Sequence, residues 1–188
     1  MSAHMQSGKV VNITLLAAVY IIGIIGGVTL FMTRFNTTFF QTGFIDYNKN
    51  FLQITVDLFT PAIITLGIIF LLGFGSIFSV FVPLVLLYKG FETGLTLAHI
   101  YASFASYEMI NMLIIIIPNA VFSTLVLIVG CREAMRMSVS IFKVTVSCGY
   151  LPVDYKLYIN KFIILTAILL AGAITNAFIC GTFIKIFV

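Results

Sequence analysis

Lys89 and Glu92 stand three residues apart inside SIFSVFVPLVLLYKGFETGLTLAHIYASFAS, the stretch from Ser76 to Ser106, which carries no other formal charge. Charges are the costliest groups to seat in an apolar run, because something must replace the water each one gives up. As a single helix at about 1.5 Å per residue the stretch would reach roughly 46 Å, beyond the ~30 Å hydrocarbon core of a bilayer. Its apolar halves, Ser76 to Tyr88 and Thr93 to Ser106, each fall short of the roughly 17 residues that a crossing requires. The stretch is therefore read as one crossing, interrupted at KGFETG. Its polar residues Lys89, Glu92, Thr96, His99, Ser103 and Ser106 recur at steps of three and four, which puts them on one helical face. That face is expected to point away from lipid.

The rest of the chain asks for the same solvent. Of 188 residues, 61% are hydrophobic and 9% charged, against about 45–50% and about 25% in soluble domains. The expected class is an all-α, polytopic transmembrane helix bundle forming a single domain in the lipid bilayer. The net charge of +4 comes with no basic run interleaved with aromatics, so no nucleic-acid partner is expected. Cys131, Cys148 and Cys180 lack CxxC spacing and neighbouring histidines, so neither a zinc site nor a disulfide framework is indicated. No GxSxG, HExxH, P-loop or dinucleotide fingerprint occurs, and no cofactor is expected. Ser76 with His99 would be a serine dyad without a nucleophile elbow.

Five spans follow in order, at about 10–33, 58–75, 76–106, 108–130 and 162–188. The first offers a small-residue face, Gly23, Gly26 and Gly27, against which another helix can pack closely. Residues 34–57 are rich in amides, threonines and aromatics and read as an external loop, including the sequon Asn36-Thr37-Thr38. In the second span Pro61 sits near the expected start, where a helix tolerates it, and GFGS then marks a tight turn. Pro118 in the fourth span removes a backbone hydrogen bond and calls for a kink, with Asn119 placed to satisfy the freed carbonyl. Residues 131–161 hold Arg132, Arg136, Lys143, Lys156 and Lys161, half of the ten basic residues, and are assigned to the cytoplasm. Their first half reads as an amphipathic helix on the membrane surface, and Gly149 and Pro152 punctuate the return. Five crossings with a cytoplasmic N-terminus place that basic loop inside and the C-terminus outside.

At three residues' separation on a helix, Lys89 and Glu92 can pair. One reading makes Lys89, Glu92, Thr96 and His99 a polar path or a groove for a partner; the other makes the pair an internal clamp that fixes helix order. Gly90 and Gly94 form GxxxG, a packing signal. His99, lacking a second histidine within a turn, is expected to be buried and hydrogen-bonded. Glu108, Asn111 and Asn119 are expected to face the polar stripe from the fourth span.

From about Ile64 to Lys143 the chain resembles the stage II sporulation protein M family of bacterial integral membrane proteins. The resemblance lies in the order and spacing of IIFLLGFGSIF, VPLVLLYKGFETG, IIIIPNAVF and GCREAMRMS. Lys89, Gly90 and Gly94 match the family's Lys-Gly pair and following glycine, and Pro118 with Asn119 its proline-polar step. The chain departs from the pattern at Asn119 and Ser123, where many relatives have histidine and glutamate, and in a shorter external loop. The resemblance implies a non-enzymatic scaffold for cell-wall hydrolases, an amidase and a lytic transglycosylase, during engulfment in sporulation. Relatives beside exporter or bacteriocin genes imply an alternative, a membrane subunit of an ATP-driven export or immunity system. An intramembrane enzyme is the third reading, and a homo-oligomer is compatible with each.

Overall fold

The computed structural model describes residues 13–34, 51–75, 78–103, 106–147 and 154–187. Five helices carry them: α1 (Ile13–Arg34), α2 (Phe51–Gly73), α3 (Phe81–Ser103), α4 (Ser106–Ser147) and α5 (Tyr155–Phe187). Each contains a segment long and apolar enough to cross a membrane. The chain is an all-α helix bundle and a multi-pass membrane protein. In lipid this follows from the backbone, since a helix satisfies its own amides and carbonyls where no water can.

Residue contacts fix the directions. Gly23 lies against Leu87, Gly90 and Phe91, and Gly27 against Phe91 and Leu95, so α1 and α3 run parallel. Gly130 of α4 faces Leu66 of α2 and Gly73 faces Ala134, which makes α2 and α4 parallel as well. Tyr158 reaches Gly73 at the start of α5 and Gly172 packs on Phe122 further along, so α5 runs opposite to α4. Odd and even helices thus alternate in direction, and the start of α1 and the end of α5 lie at opposite ends of the bundle. The buried centre joins Leu16 and Tyr20 to Leu66, Ile69, Leu86, Leu127 and Phe162.

Between α2 and α3 the chain turns at Phe74, within the expected turn, whose Ser76 lies outside the described residues. The amides of Phe74 and Gly75 donate back to Leu71 and Leu72 at 3.1 and 3.4 Å, and Phe78 donates to Gly75 at 3.3 Å. A short 3-10 turn, Phe78–Val80, leads into α3.

Four expectations are corrected. The third span is not interrupted at KGFETG: α3 is helical throughout, because Gly90 and Gly94 serve a helix contact and not a break. The second helix begins at Phe51, seven residues before the expected 58, so Pro61 is interior to it. Ile54 draws this extra turn in by packing with Ala177 and Cys180. The fourth helix does not stop at Gly130. It runs on to Ser147, 42 residues in all, about 63 Å and twice a hydrocarbon core. Its segment past Gly130 is not an amphipathic surface helix, since Cys131, Ala134, Met137 and Ser138 are buried. Their steps of three and four carry the apolar face of Leu127 onward beneath the charges. The fifth helix likewise starts at Tyr155, not at 162, so the expected 131–161 loop is mostly helix. The sequon at Asn36, Cys148, Gly149 and Pro152 lie outside the described residues.

Candidate functional site

Glu92 is the middle residue of α3, about 16 Å of helix from either end. The Lys89 ammonium donates to Glu92 Oε2 at 2.9 Å. The lysine side chain is 14% exposed and the glutamate 48%. The pair thus forms as expected, but its covering does not follow the expectation. Glu92 and Thr96 lie on the outer surface of the bundle, while His99, farther along the same stripe, is buried. Lys89 and His99 are therefore shielded while Glu92 and Thr96 between them are not, and that is a correction to the reading that the whole face turns inward.

The cause is the adjacent face of α3. A Cβ built on Gly90 would run into the carbonyl oxygen of Tyr20, one on Gly94 into that of Ile24, and those on Gly23 and Gly27 into the carbonyl oxygens of Leu87 and Phe91. The two glycine pairs face one another, so α1 and α3 touch backbone to backbone. Lipid tails are as apolar as leucine, and helices in a membrane associate through such close packing and through hydrogen bonds. α1 thereby takes the glycine face, and among the described residues none covers the Glu92 face.

Beside the pair, hydroxyl groups connect three helices. The Tyr20 hydroxyl donates to Thr93 Oγ1 at 3.1 Å, and the Thr93 hydroxyl donates to the Lys89 carbonyl at 2.9 Å. Thr124 Oγ1 of α4 lies 2.8 Å from the Tyr20 oxygen and 2.6 Å from the Ala120 carbonyl, two acceptors for one proton. Thr96 donates to the Glu92 carbonyl at 3.0 Å. Sequence reasoning missed Tyr20, Thr93 and Thr124. Thr93 adjoining Glu92 was the available signal, but a threonine in a helix ordinarily spends its proton on its own backbone.

His99 is buried with its ring edge-on to Phe31, centroids 5.9 Å apart. The side chains of Ser103, Glu108 and Asn111 lie outside the described residues. Asn119 is half-buried directly after Pro118, and α4 runs on as helix through both. On α5, Asn176 is 2% exposed, and neither amide atom has a partner among the described residues. With Gly172 against Phe122 and the helices antiparallel, Asn176 comes level with Pro118.

A second polar group closes the end of the bundle that holds Gly73 and Tyr155. Glu133 accepts from Lys161 at 2.6 Å and from Arg136 at 3.3 Å. Tyr158 donates to the Phe70 carbonyl at 2.9 Å, and Ser138 to that of Gly75 at 2.6 Å. Phe70 stacks on Tyr158, and Phe162 and Phe74 meet them edge-on. All five basic residues expected in a loop thus lie on α4 and α5, and two of them, Arg136 and Lys161, meet at Glu133.

Among the described residues, no three of histidine, cysteine, aspartate and glutamate gather closely enough to hold a metal ion. Chemically, the midspan arrangement presents a neutral couple of opposite charges on a helix locked against its neighbour. No family model, curated protein or solved structure matches this chain.

Proposed function

We propose that this chain is a non-enzymatic bacterial membrane scaffold, resembling stage II sporulation protein M, that assembles or anchors other proteins. The observation that carries the reading is Glu92, a carboxylate 48% exposed at the middle of a span. A charge at that depth is expensive, by about 2.5–3.5 kcal/mol on insertion scales, and such residues ordinarily face a protein or a water-filled cavity. A protein surface against α3 meets that demand. In the resembled setting the anchored proteins are cell-wall hydrolases, held on the external side. The end carrying Arg132, Arg136, Lys156 and Lys161 faces the cytoplasm by the positive-inside bias. That places the N-terminus inside and the C-terminus outside.

The same outward face supports a second reading, in which the protein gripped is the permease of an ATP-driven exporter. A photo-crosslinking residue at Thr96, in native membranes, tests both. A wall hydrolase or its membrane anchor in the product supports the first reading, and a permease the second. A product formed equally well in Glu92→Gln would refute the role given to the carboxylate. Cysteine labelling that finds both chain ends on one side would refute the orientation.

A further inference from the structure

We infer that the Glu92 face of α3 is a contact between two copies of this chain, related by a twofold axis along the membrane normal. The inference rests on the reading that this face is a protein contact, and it names the occupant. Three observations lead to it.

The first is the charge of the face. Leu84, Tyr88, Glu92 and Thr96 are exposed at successive steps of four, with Lys89 flanking Glu92. Its formal charge is zero, made of one ammonium and one carboxylate 2.9 Å apart. A partner must therefore offer both signs, in register, in the middle of its own span. A second copy does so by construction, because a twofold axis brings each face onto itself.

The second is depth. Glu92 is the middle residue of α3, about 16 Å of helix from either end. Lipid headgroups lie beyond the ~30 Å hydrocarbon core, so they do not reach a group at its centre. The occupant spans the membrane.

The third is reach. Two copies inserted in the same sense have parallel α3 helices, with Lys89 only about 4.5 Å of helix rise from the level of Glu92. Helix axes in contact lie about 8–10 Å apart, within reach of a lysine from one side and a glutamate from the other. Lys89 can then share its donors between its own Glu92 and that of the second copy, giving an alternating ring of four charges. On either side of Glu92 the face carries the exposed side chains of Leu84 and Tyr88 and the small Thr96, so a second copy would pack Tyr88 beside the charges. Because α1 is locked on the glycine face, α3 offers this surface without rearrangement.

The test is disulfide crosslinking in native membranes, on the full chain with Cys148→Ser. Thr96→Cys and Leu84→Cys are each expected to give a product of twice the chain's mass on mild oxidation. Ile64→Cys, equally exposed but on α2, is expected to give none. Glu92→Gln or Lys89→Met is expected to lower the Thr96→Cys yield at least tenfold. The exchange Lys89→Glu with Glu92→Lys, which rebuilds the pair within each chain and across the axis alike, is expected to restore it to within twofold. Elution of each variant from a sizing column in mild detergent, as a sharp peak, controls for misfolding. Absence of product at both positions, an equal yield at Ile64→Cys, or failure of the exchange to restore it overturns the inference. If the double-mass product is absent but a photo-crosslinker at residue 96 captures another membrane protein in a Glu92-dependent way, the second copy is excluded and the contact reading stands. If neither product forms, both fall.

Discussion

Replacing Gly94 by alanine adds one carbon to a backbone contact that has no room for it. The new Cβ would meet the Ile24 carbonyl oxygen and would lie 3.0 Å from both the Cα and the carbonyl carbon of Ile24. Comfortable carbon contacts lie at about 3.5–4.0 Å, so α1 and α3 must separate by at least about 0.5 Å. The obstructing atoms are backbone and cannot rotate aside. Overpacking of this kind costs about 1–3 kcal/mol, while alanine returns about 0.5–1 kcal/mol of helix propensity over glycine. The net expectation for Gly94→Ala is a loss of about 1–2 kcal/mol. Gly67→Ala supplies the control, because a Cβ there meets nothing within 4 Å. It keeps only the propensity gain, so the two variants should differ by about 2 kcal/mol for the same chemical change. Reversible unfolding in mixed micelles with increasing SDS, followed by circular dichroism, measures both. If Gly94→Ala proves as stable as Gly67→Ala, the backbone contact between α1 and α3 is wrong.

Three other outcomes follow from the polar contacts. A double-mutant cycle on Tyr20→Phe and Thr124→Val should give a coupling of about 0.6 kcal/mol, and no more than about 1.7, the range for hydrogen bonds between helices in membranes; additive effects would remove the α1–α4 link. Glu133→Gln should destabilise by about 1.5–3 kcal/mol through its hydrogen bonds to charged partners, whereas Arg136→Gln, whose side chain is half exposed, should cost under about 1 kcal/mol; thermal unfolding in detergent ranks them, and equal losses would contradict the geometry. Asn176→Leu should stabilise the bundle by about 1–3 kcal/mol, since it removes a buried amide whose atoms have no partner among the described residues, and a loss of stability in the same unfolding assay would show that the amide is satisfied.

The number of helices was legible because each apolar run is long, and a bilayer imposes its own length scale. Their ends were less so. Arg132, Glu133 and Arg136 have the appearance of a helix leaving the membrane, yet Leu127, Cys131, Ala134 and Ser138 keep the three-and-four spacing through them. There the periodicity was the better guide, and the charges were the misleading one. The start of α2 was hidden for a related reason: Gln53 and Asp57 give its first turns the composition of a loop, although Ile54 and Thr55 are buried. The glycines of α1 and α3 were each recognisable as packing surfaces. Spacing on one helix does not say which other helix it meets, so their pairing had to come from coordinates. The same limit hid Tyr20, Thr93 and Thr124: the two threonines look satisfied by their own backbone, and the partners of the Tyr20 hydroxyl lie on other helices.

The covering of Glu92 shows how one choice in a small bundle excludes another. On a helix at about 100° per residue, Gly94 and Gly90 each lie about 200° around the axis from Glu92, in opposite senses. Turning α3 to bury the carboxylate against α1 would carry both glycines to the opposite side and lose the backbone contacts at Tyr20 and Ile24. It would also drive a full glutamate side chain into a gap that does not admit a methyl group. Close packing of α3 on α1 and burial of Glu92 against α1 therefore exclude each other, and the structure has the first. The first keeps the tight packing that holds membrane helices together and transfers the cost of the charge to whatever sits outside. Seen this way, the glycine pairs and the ion pair are one device. Opening the glycine contact, as Gly94→Ala does, should weaken the proposed contact at the Glu92 face as well as the fold, and crosslinking from Thr96 would register that loss even where the bundle stays intact.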